Sequence, residues 1–271
     1  MPAFIDQLQR KISLAEFPQR IISLVPSITE LLFDLKLNDE VVGIPKFCVH
    51  PESWFKTKIK VGGTKNAKID VIASLKPQLI IANKEENIKE QIEALETIAP
   101  VFITDVSDLN SALQMIEMIG AMTNRANKAQ FIIQKIEDEF LQLPSPSRGE
   151  GLGMRACYLI WRKPYMTVGG DTFINDMIER CGFENAFKNY TRYPEVSMLQ
   201  LSTLNCQLLL LSSEPYPFKQ KHIYELQPFL PSTKIILVDG EMFSWYGSRL
   251  QFAPAYFLKL LKELNIADAK P

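Results

Sequence analysis

Short apolar runs alternate with stretches of helical period along this chain. Residues 20–25 (Arg-Ile-Ile-Ser-Leu-Val) read as a first strand, ended by Pro26. Ser27-Ile28-Thr29-Glu30 then reads as a helix start, a hydroxyl cap with a glutamate three residues on. Ile28, Leu31, Leu32 and Leu35 supply the spacing of an amphipathic helix. Residues 41–44 are a second strand, 79–82 a third and 101–104 a fourth, the last following a helix through 88–95. Between the second and third strands comes a Gly62-Gly63 turn, then Ile69, Ile72 and Leu75 on one face of a short helix. Asp70 lies where that helix opens, and Pro77 forbids its continuation. The run Leu79-Ile80-Ile81-Ala82 has the unbroken apolar character of a strand covered on both faces.

Residues 123–143 differ. Ala126, Ala129, Ile132, Ile133, Ile136 and Phe140 keep a helical period, with no glycine or proline inside. About twenty residues at ~1.5 Å each span ~30 Å, the width of a small lobe. Such a helix can bridge two lobes as a strut or pack on one lobe as a surface helix. Residues 144–153 (Pro-Ser-Pro-Ser-Arg-Gly-Glu-Gly-Leu-Gly) have the composition of a flexible loop and lack the Gly-Lys-Ser/Thr of a phosphate-binding loop. The alternation then resumes: a strand at 155–161, a helix at 173–181 closed by Gly182, strands at 208–211 and 235–238, and a final helix at 252–264. Strands alternating with helices predict mainly parallel sheets. The fold class expected is therefore α/β, with two Rossmann-like lobes, 1–122 and 144–271, bridged by a single long α-helix at 123–143.

Composition narrows the function classes. The 271 residues, 46% hydrophobic, suffice for two lobes with sizeable cores, and a net charge of -1 gives no reason to expect nucleic acid or an anionic membrane as a partner. No run approaches the ~18 apolar residues of a membrane span. Residues 1–20 are broken by Asp6, Gln7, Gln9, Arg10, Lys11 and Glu16, with neither the apolar segment of a signal peptide nor a lipobox-like Leu-x-x-Cys. The chain as written is thus expected in the cytoplasm. Cys48, Cys157, Cys181 and Cys206 form no CxxC and read as reduced, buried thiols.

Two signatures carry a family resemblance. The first is residues 61–82, the Gly-Gly turn, short helix and buried strand described above. The second is residues 165–187, where Thr167-Val168-Gly169-Gly170-Asp171 starts a helix that ends at Cys181-Gly182 before Asn185-Ala186-Phe187, followed by Tyr193-Pro194-Glu195-Val196-Ser197. In this order and separation they resemble the helical-backbone substrate-binding proteins that serve ABC importers of cobalamin, ferric siderophores and haem. The match runs from about residue 20 to the C-terminus.

The resemblance implies a non-catalytic binding protein for a metal-containing macrocycle or chelate: a corrinoid such as cobalamin first, a ferric siderophore or haem second. It implies a cleft between lobes, a periplasmic station, an ABC transporter permease as partner, and no required cofactor. The matching loops offer Phe47, Thr64 and Lys65 in the first lobe. In the second they offer Trp161, Tyr165, Tyr193 and the stretch containing Trp245, Tyr246 and Arg249. Aromatic faces suit planar macrocycles, and Arg or Lys suits their anionic edges. The pattern is not complete. Thr64 stands where cobalamin binders carry an aromatic, and Trp245 where they carry an arginine. Phe47, His50, Tyr193, Trp245 and Tyr246 are expected to line one concave site, with Arg249 or Lys65 at its rim. The family docks on its transporter through one acid per lobe. Asp70 occupies the first position, where it could equally cap a helix. Leu199 occupies the second, with Glu195 nearby.

Cys48 and His50 lie two apart in the loop after the second strand. If the chain there is extended, both could face one metal as axial-type ligands; the plainer reading is a half-buried thiol and a hydrogen-bonded imidazole. There is no Gly-x-Ser-x-Gly, His-Glu-x-x-His or Walker A pattern to propose catalysis. A cytosolic corrinoid- or metal-cofactor-handling enzyme, or a sensor, on the same fold is the alternative.

Overall fold

Apolar runs too short for helices and too continuous for a half-exposed sheet build two parallel sheets in this protein. The computed structural model describes residues 3–144, 153–204 and 206–264; most of the loop expected at 144–153 lies outside them. The chain divides into two units, one comprising 1–106, 110–136 and 246–249, the other 107–109, 137–245 and 250–271.

The first unit holds strands β1 (Ala3–Ile5), β2 (Lys11–Ser13), β3 (Ile21–Ser23), β4 (Val41–Ile44), β5 (Ile59–Lys60), β6 (Gly62–Gly63), β7 (Asn66–Ala67), β8 (Leu79–Asn83) and β9 (Val101–Thr104). Its helices are α1 (Pro26–Asp34), α2 (Glu52–Thr57), α3 (Ile69–Ser74), α4 (Lys89–Glu96) and most of α5 (Leu109–Met122). Five strands form a sheet in the order β5-β4-β3-β8-β9, every neighbouring pair parallel. All residues of β3, β8 and β9 are buried. Ile22, Ile80 and Val101 pack on one face of the sheet with Ile72, Ile92 and Leu95. The hairpin of β1 and β2, which the sequence did not announce, closes the β9 edge. The buried Asp6 carboxylate accepts the Ile103 N–H at 3.3 Å, and Gln7 N–H donates to the Ile103 carbonyl at 3.3 Å.

Three local expectations are corrected. Ser27 does not cap α1: Val25 is the capping residue, it makes no side-chain cap, Pro26 fills the first turn, and Ser27 is buried inside the helix. Proline's fixed φ and missing donor suit that first turn, so the helix begins two residues early. Asp70 does not cap α3 either; Lys68 does, again without a side-chain bond, and Asp70 sits exposed in the first turn. The helix expected at 123–143 begins only at Ala126, as α6 (Ala126–Phe140), with α5 ending at Met122. Asn124 adopts φ 56°, and the Arg125 N–H closes back to the Gly120 carbonyl at 2.7 Å, a left-handed helix stop. The chain leaves the first unit inside α6, between Ile136 and Glu137.

Two glycines are dictated by space. Gly62 has φ 106°, and a Cβ there would lie 2.3 Å from the Asn66 carbonyl, so the β6–β7 hairpin requires it. A Cβ on Gly120 would lie 2.3 Å from the Ala129 Cβ, which is how α5 and α6 approach so closely.

The second unit holds β10 (Arg155–Leu159), β11 (Tyr165–Met166), β12 (Glu184–Asn185), β13 (Glu195–Val196), β14 (Leu208–Ser212) and β15 (Lys234–Val238). Its helices are α7 (Phe173–Arg180), α8 (Met198–Thr203), α9 (Gln220–Leu226), α10 (Glu241–Ser244) and α11 (Ala253–Glu263). The main sheet runs β12-β10-β14-β15, all parallel, with β11 and β13 paired antiparallel beside it. The first strand stops at Leu159 rather than at 161, because Trp161 turns away into a bridge with Met166. Thr172 caps α7 by accepting the Asn175 N–H at 3.2 Å, and Ser197 and Gln200 form a reciprocal cap on α8.

Gly120→Ala should destabilise the protein by about 1–3 kcal/mol in urea unfolding, since the Ala129 methyl cannot swing aside. Adding Ala129→Gly should recover part of that loss. A neutral Gly120→Ala would show that α5 and α6 do not pack this closely.

Candidate functional site

In an open parallel sheet, the crevice outside the C-terminal strand ends opens widest where the chain's connections reverse direction. In the first unit the chain passes from β3 to β4 and β5 on one side, then returns to β8 and β9 on the other, so the reversal lies between β3 and β8. In the second unit it lies between β10 and β14.

At the first reversal, the loop after β8 is fixed by its own amides. The Asn83 side chain accepts the Glu85 and Glu86 N–H groups at 2.8 and 3.1 Å, and Asn87 Oδ1 accepts the Asn83 N–H at 2.8 Å. This holds Glu86 for the Tyr246 hydroxyl, which donates to its Oε1 at 2.7 Å. Burial, with the Glu86 charge added, pushes the Tyr246 phenol well above its ordinary range. Beside that phenol lies Ser27, whose buried Oγ has no hydrogen-bond partner in the structure. On α1, Glu30 takes two hydrogen bonds from Arg249, at 2.8 and 2.6 Å, and Asp34 takes one from Ser248 at 2.5 Å. Burial raises the Glu30 pKa, while the charges of Arg249 and His50 oppose the shift.

The predicted residues of this unit make contacts of several kinds. The Thr64 carbonyl accepts from Asn87 Nδ2 at 2.9 Å, and Lys65 Nζ donates to the Glu85 carbonyl at 2.5 Å. Phe47 is 67% exposed, with the Lys46 ammonium 5.3 Å from its ring centre. Arg249, expected at a rim, is instead bound to Glu30 and largely buried. Cys48 is fully buried, and its thiol donates to the His50 carbonyl at 3.0 Å. Burial pushes that thiol up to about 11. Cys48 and His50 thus meet through thiol and backbone, not as an extended pair of ligands. Among the described residues no group of three or more His, Cys, Asp or Glu could hold a metal ion.

At the second reversal, the turn from Trp161 to Met166, the loop after β14 and helix α9 come together. The Met166 N–H donates to the Trp161 carbonyl at 3.2 Å, and the Tyr216 N–H to the Ile160 carbonyl at 3.3 Å. Trp161, 40% exposed, stands edge-on to Tyr216 at 5.8 Å, and Tyr216 contacts Phe218 and His222. Arg162 pairs with Glu225. Tyr165 lies in β11 opposite Val196 of β13, and Glu195 lies opposite Met166. Tyr193 is half-buried under the Arg192 guanidinium, 5.8 Å from its ring centre, and Glu195 is exposed. Trp245 is 7% exposed, and its Nε1–H donates to Glu214 Oε1 at 2.9 Å, an oxygen that also accepts from Ser244 at 2.5 Å. Burial raises the Glu214 pKa against the pull of those two donors.

The sequence reading did not single out Glu86, Arg162, Glu214 or Tyr216, and noted Glu30 only as part of a helix start. The signal was present: each of the first four follows a strand within a few residues, but that argument was applied to other side chains.

Residues 21–240 match the family described as periplasmic binding protein, and the chain belongs to it. The chain is 26% identical to a vitamin B12-binding protein of Vibrio parahaemolyticus, over 78% of this chain and 76% of that one. It is 23% identical to an uncharacterized ABC transporter substrate-binding lipoprotein of Bacillus subtilis, over 84% and 79%. The solved apo structure of a periplasmic haem-binding protein from Roseiflexus sp. RS-1 shares the fold at a TM-score of 0.76 and 20% identity, covering 89% of this chain and 98% of that one. The family's members are binding proteins. Among the described residues, no helix is long and apolar enough to cross a membrane.

Glu214 gives a pH test with a defined sign. Its folded pKa lies above the ordinary 4.5, so its favourable contribution is fully present below 4.5 and is lost as pH rises through the folded value. Glu214→Gln should therefore flatten the stability profile between neutral pH and 4.5 and cost little at pH 7, since an amide oxygen still accepts from Ser244 and Trp245. Glu214→Ala, which leaves the indole N–H unpaired, should cost about 1–3 kcal/mol in urea unfolding. An unchanged pH profile in Glu214→Gln would contradict the assignment.

Proposed function

We propose that this protein captures a metal-containing macrocycle or chelate and presents it to an ABC-type importer. A corrinoid is the first candidate, haem or a ferric siderophore the second. The reading is supported by family membership, by relatives named for vitamin B12 binding and ABC transport, and by a haem-binding neighbour of the same fold. The observation that carries it is the grouping of aromatic and cationic side chains at the direction reversals of the two parallel sheets. Phe47, Thr64, Lys65, His50, Tyr246 and Arg249 serve on the first unit, and Trp161, Tyr165, Tyr193 and Trp245 on the second. Aromatic residues give wide contact to a planar ring at small entropic cost. Asp70 and Glu195, both exposed, are the proposed acids for docking on the permease. Asp70→Lys would then lower ligand uptake with ligand affinity unchanged. A periplasmic or membrane-tethered station follows from the same reading.

Titration of the purified protein with cyanocobalamin, dicyanocobinamide, hemin and a ferric siderophore tests the proposal. At least one should bind with micromolar affinity or better, about −8 kcal/mol. Phe47→Ala should weaken that ligand by roughly thirtyfold, the effect of losing an aromatic anchor of about 2 kcal/mol, while leaving stability within about 0.5 kcal/mol. No ligand tighter than about 100 μM would overturn the reading.

A further inference from the structure

Two buried side-chain polar atoms among the described residues have no hydrogen-bond partner: Ser27 Oγ and Arg162 Nε. Each lies at the direction reversal of its own sheet. A buried donor left without an acceptor keeps its full desolvation penalty, so such groups are rare and call for an explanation. Ser27 sits beside the Tyr246 phenol, a neighbour that could accept its proton after a small rotation. Arg162 has no such simple remedy. Its Nη2 donates to Glu225 Oε2, and the Tyr216 and Tyr165 hydroxyls also interact with the guanidinium, while the buried Nε–H is unanswered.

The surroundings of Arg162 have a definite chemistry. The Tyr165 and Tyr216 hydroxyls lie near the guanidinium, and neither is a strong acceptor. Trp161 precedes it in the chain and is 40% exposed, held edge-on by Tyr216. The Arg162 side chain keeps 19% of its surface accessible, and its carboxylate partner Glu225 keeps 43%. An ion pair this exposed at one end contributes little to stability and is readily exchanged. A guanidinium edge formed by Nε–H and Nη2–H matches the two oxygens of a carboxylate or a phosphodiester. An exposed indole alongside matches a planar ring.

We infer that Arg162 is a ligand-binding residue that recognises an oxyanion at the periphery of the macrocycle, with Trp161 against the ring and Glu225 as the protein's own competing anion. This rests on the function proposed above and adds to it a specificity: an anionic edge is selected over a neutral one. The oxyanion has two possible sources, the propionate carboxylates of a porphyrin or the phosphodiester of a complete cobalamin.

The test uses pairs with and without that anion: hemin against its dimethyl ester, which differ only at the carboxylates, and cyanocobalamin against dicyanocobinamide, which lacks the phosphodiester together with the rest of the nucleotide loop. In whichever pair the wild-type protein binds, Arg162→Gln should weaken the anion-bearing member at least tenfold and change the other less than twofold. Glu225→Gln should tighten the anion-bearing member, because the competing carboxylate is gone. A merely structural Arg162–Glu225 pair would make both substitutions lose affinity for both members alike, and that result overturns the inference while leaving the proposed function standing. Equal wild-type affinity within the bound pair overturns it too. Binding of none of the four probes overturns this inference and counts against the proposed function, and the two failures are told apart by the ferric siderophore, whose binding would save the function alone. Thermal unfolding of each variant guards against misfolding, and Arg162→Lys, which keeps the charge but not the fork, should show an intermediate loss.

Discussion

Burial of a parallel sheet on both faces is the constraint from which the rest of this structure follows. Strands such as Leu79–Asn83 and Leu208–Ser212 are buried along their whole length, so neither face can be left to water. Parallel neighbours cannot be joined by tight turns, so each strand must return through a crossover. All the loops that leave the C-terminal strand ends then collect on one edge. That edge is the only part of such a sheet where backbone is free to adapt, and where the connections reverse it opens. The candidate site is therefore a consequence of topology before any side chain is considered.

Topology leaves open which side chains occupy the edge, and here the chain invests in carboxylates. Between Ser244 and Arg249 five side chains donate to Glu214, Glu86, Asp34 and Glu30. Only one of the donors is cationic. Neutral hydroxyl and indole donors can satisfy a buried carboxylate's lone pairs but cannot neutralise its charge, so Glu214 is left with a raised pKa, and burial raises Glu30 even against the opposing Arg249 charge. The arrangement fixes the orientation of Trp245 and Tyr246 at an electrostatic cost, which is what a binding protein with rigid aromatic contacts requires.

Much of the fold was legible in the sequence because its signals are local. The strands Val41–Ile44 and Val101–Thr104 fall where unbroken apolar runs put them, and Gly182 follows the helix it was expected to close. The start of α6 was missed because Asn124, an ordinary polar residue in a periodic stretch, takes a left-handed conformation that periodicity does not reveal. Strands of two or three residues, such as β1, β2 and β13, carry too few positions to show a period. The site was legible only in part, for a different reason. Loops after strands point to Phe47, Thr64, Lys65 and Trp161, but a glutamate in a loop reads as solvated charge, so Glu86 and Glu214 gave no warning. The burial of Trp245 and Tyr246 depends on residues some 30 and 160 positions away, Glu214 and Glu86, and no local pattern encodes it.

The central claim, that ligand is held at the sheet reversals, is tested most directly by hydrogen exchange on the full chain with and without the tightest-binding macrocycle. The account predicts ligand-induced protection concentrated in residues 24–30, 83–88, 160–166 and 212–218, the loops leaving β3, β8, β10 and β14. Protection confined to the opposite, N-terminal strand ends would contradict it.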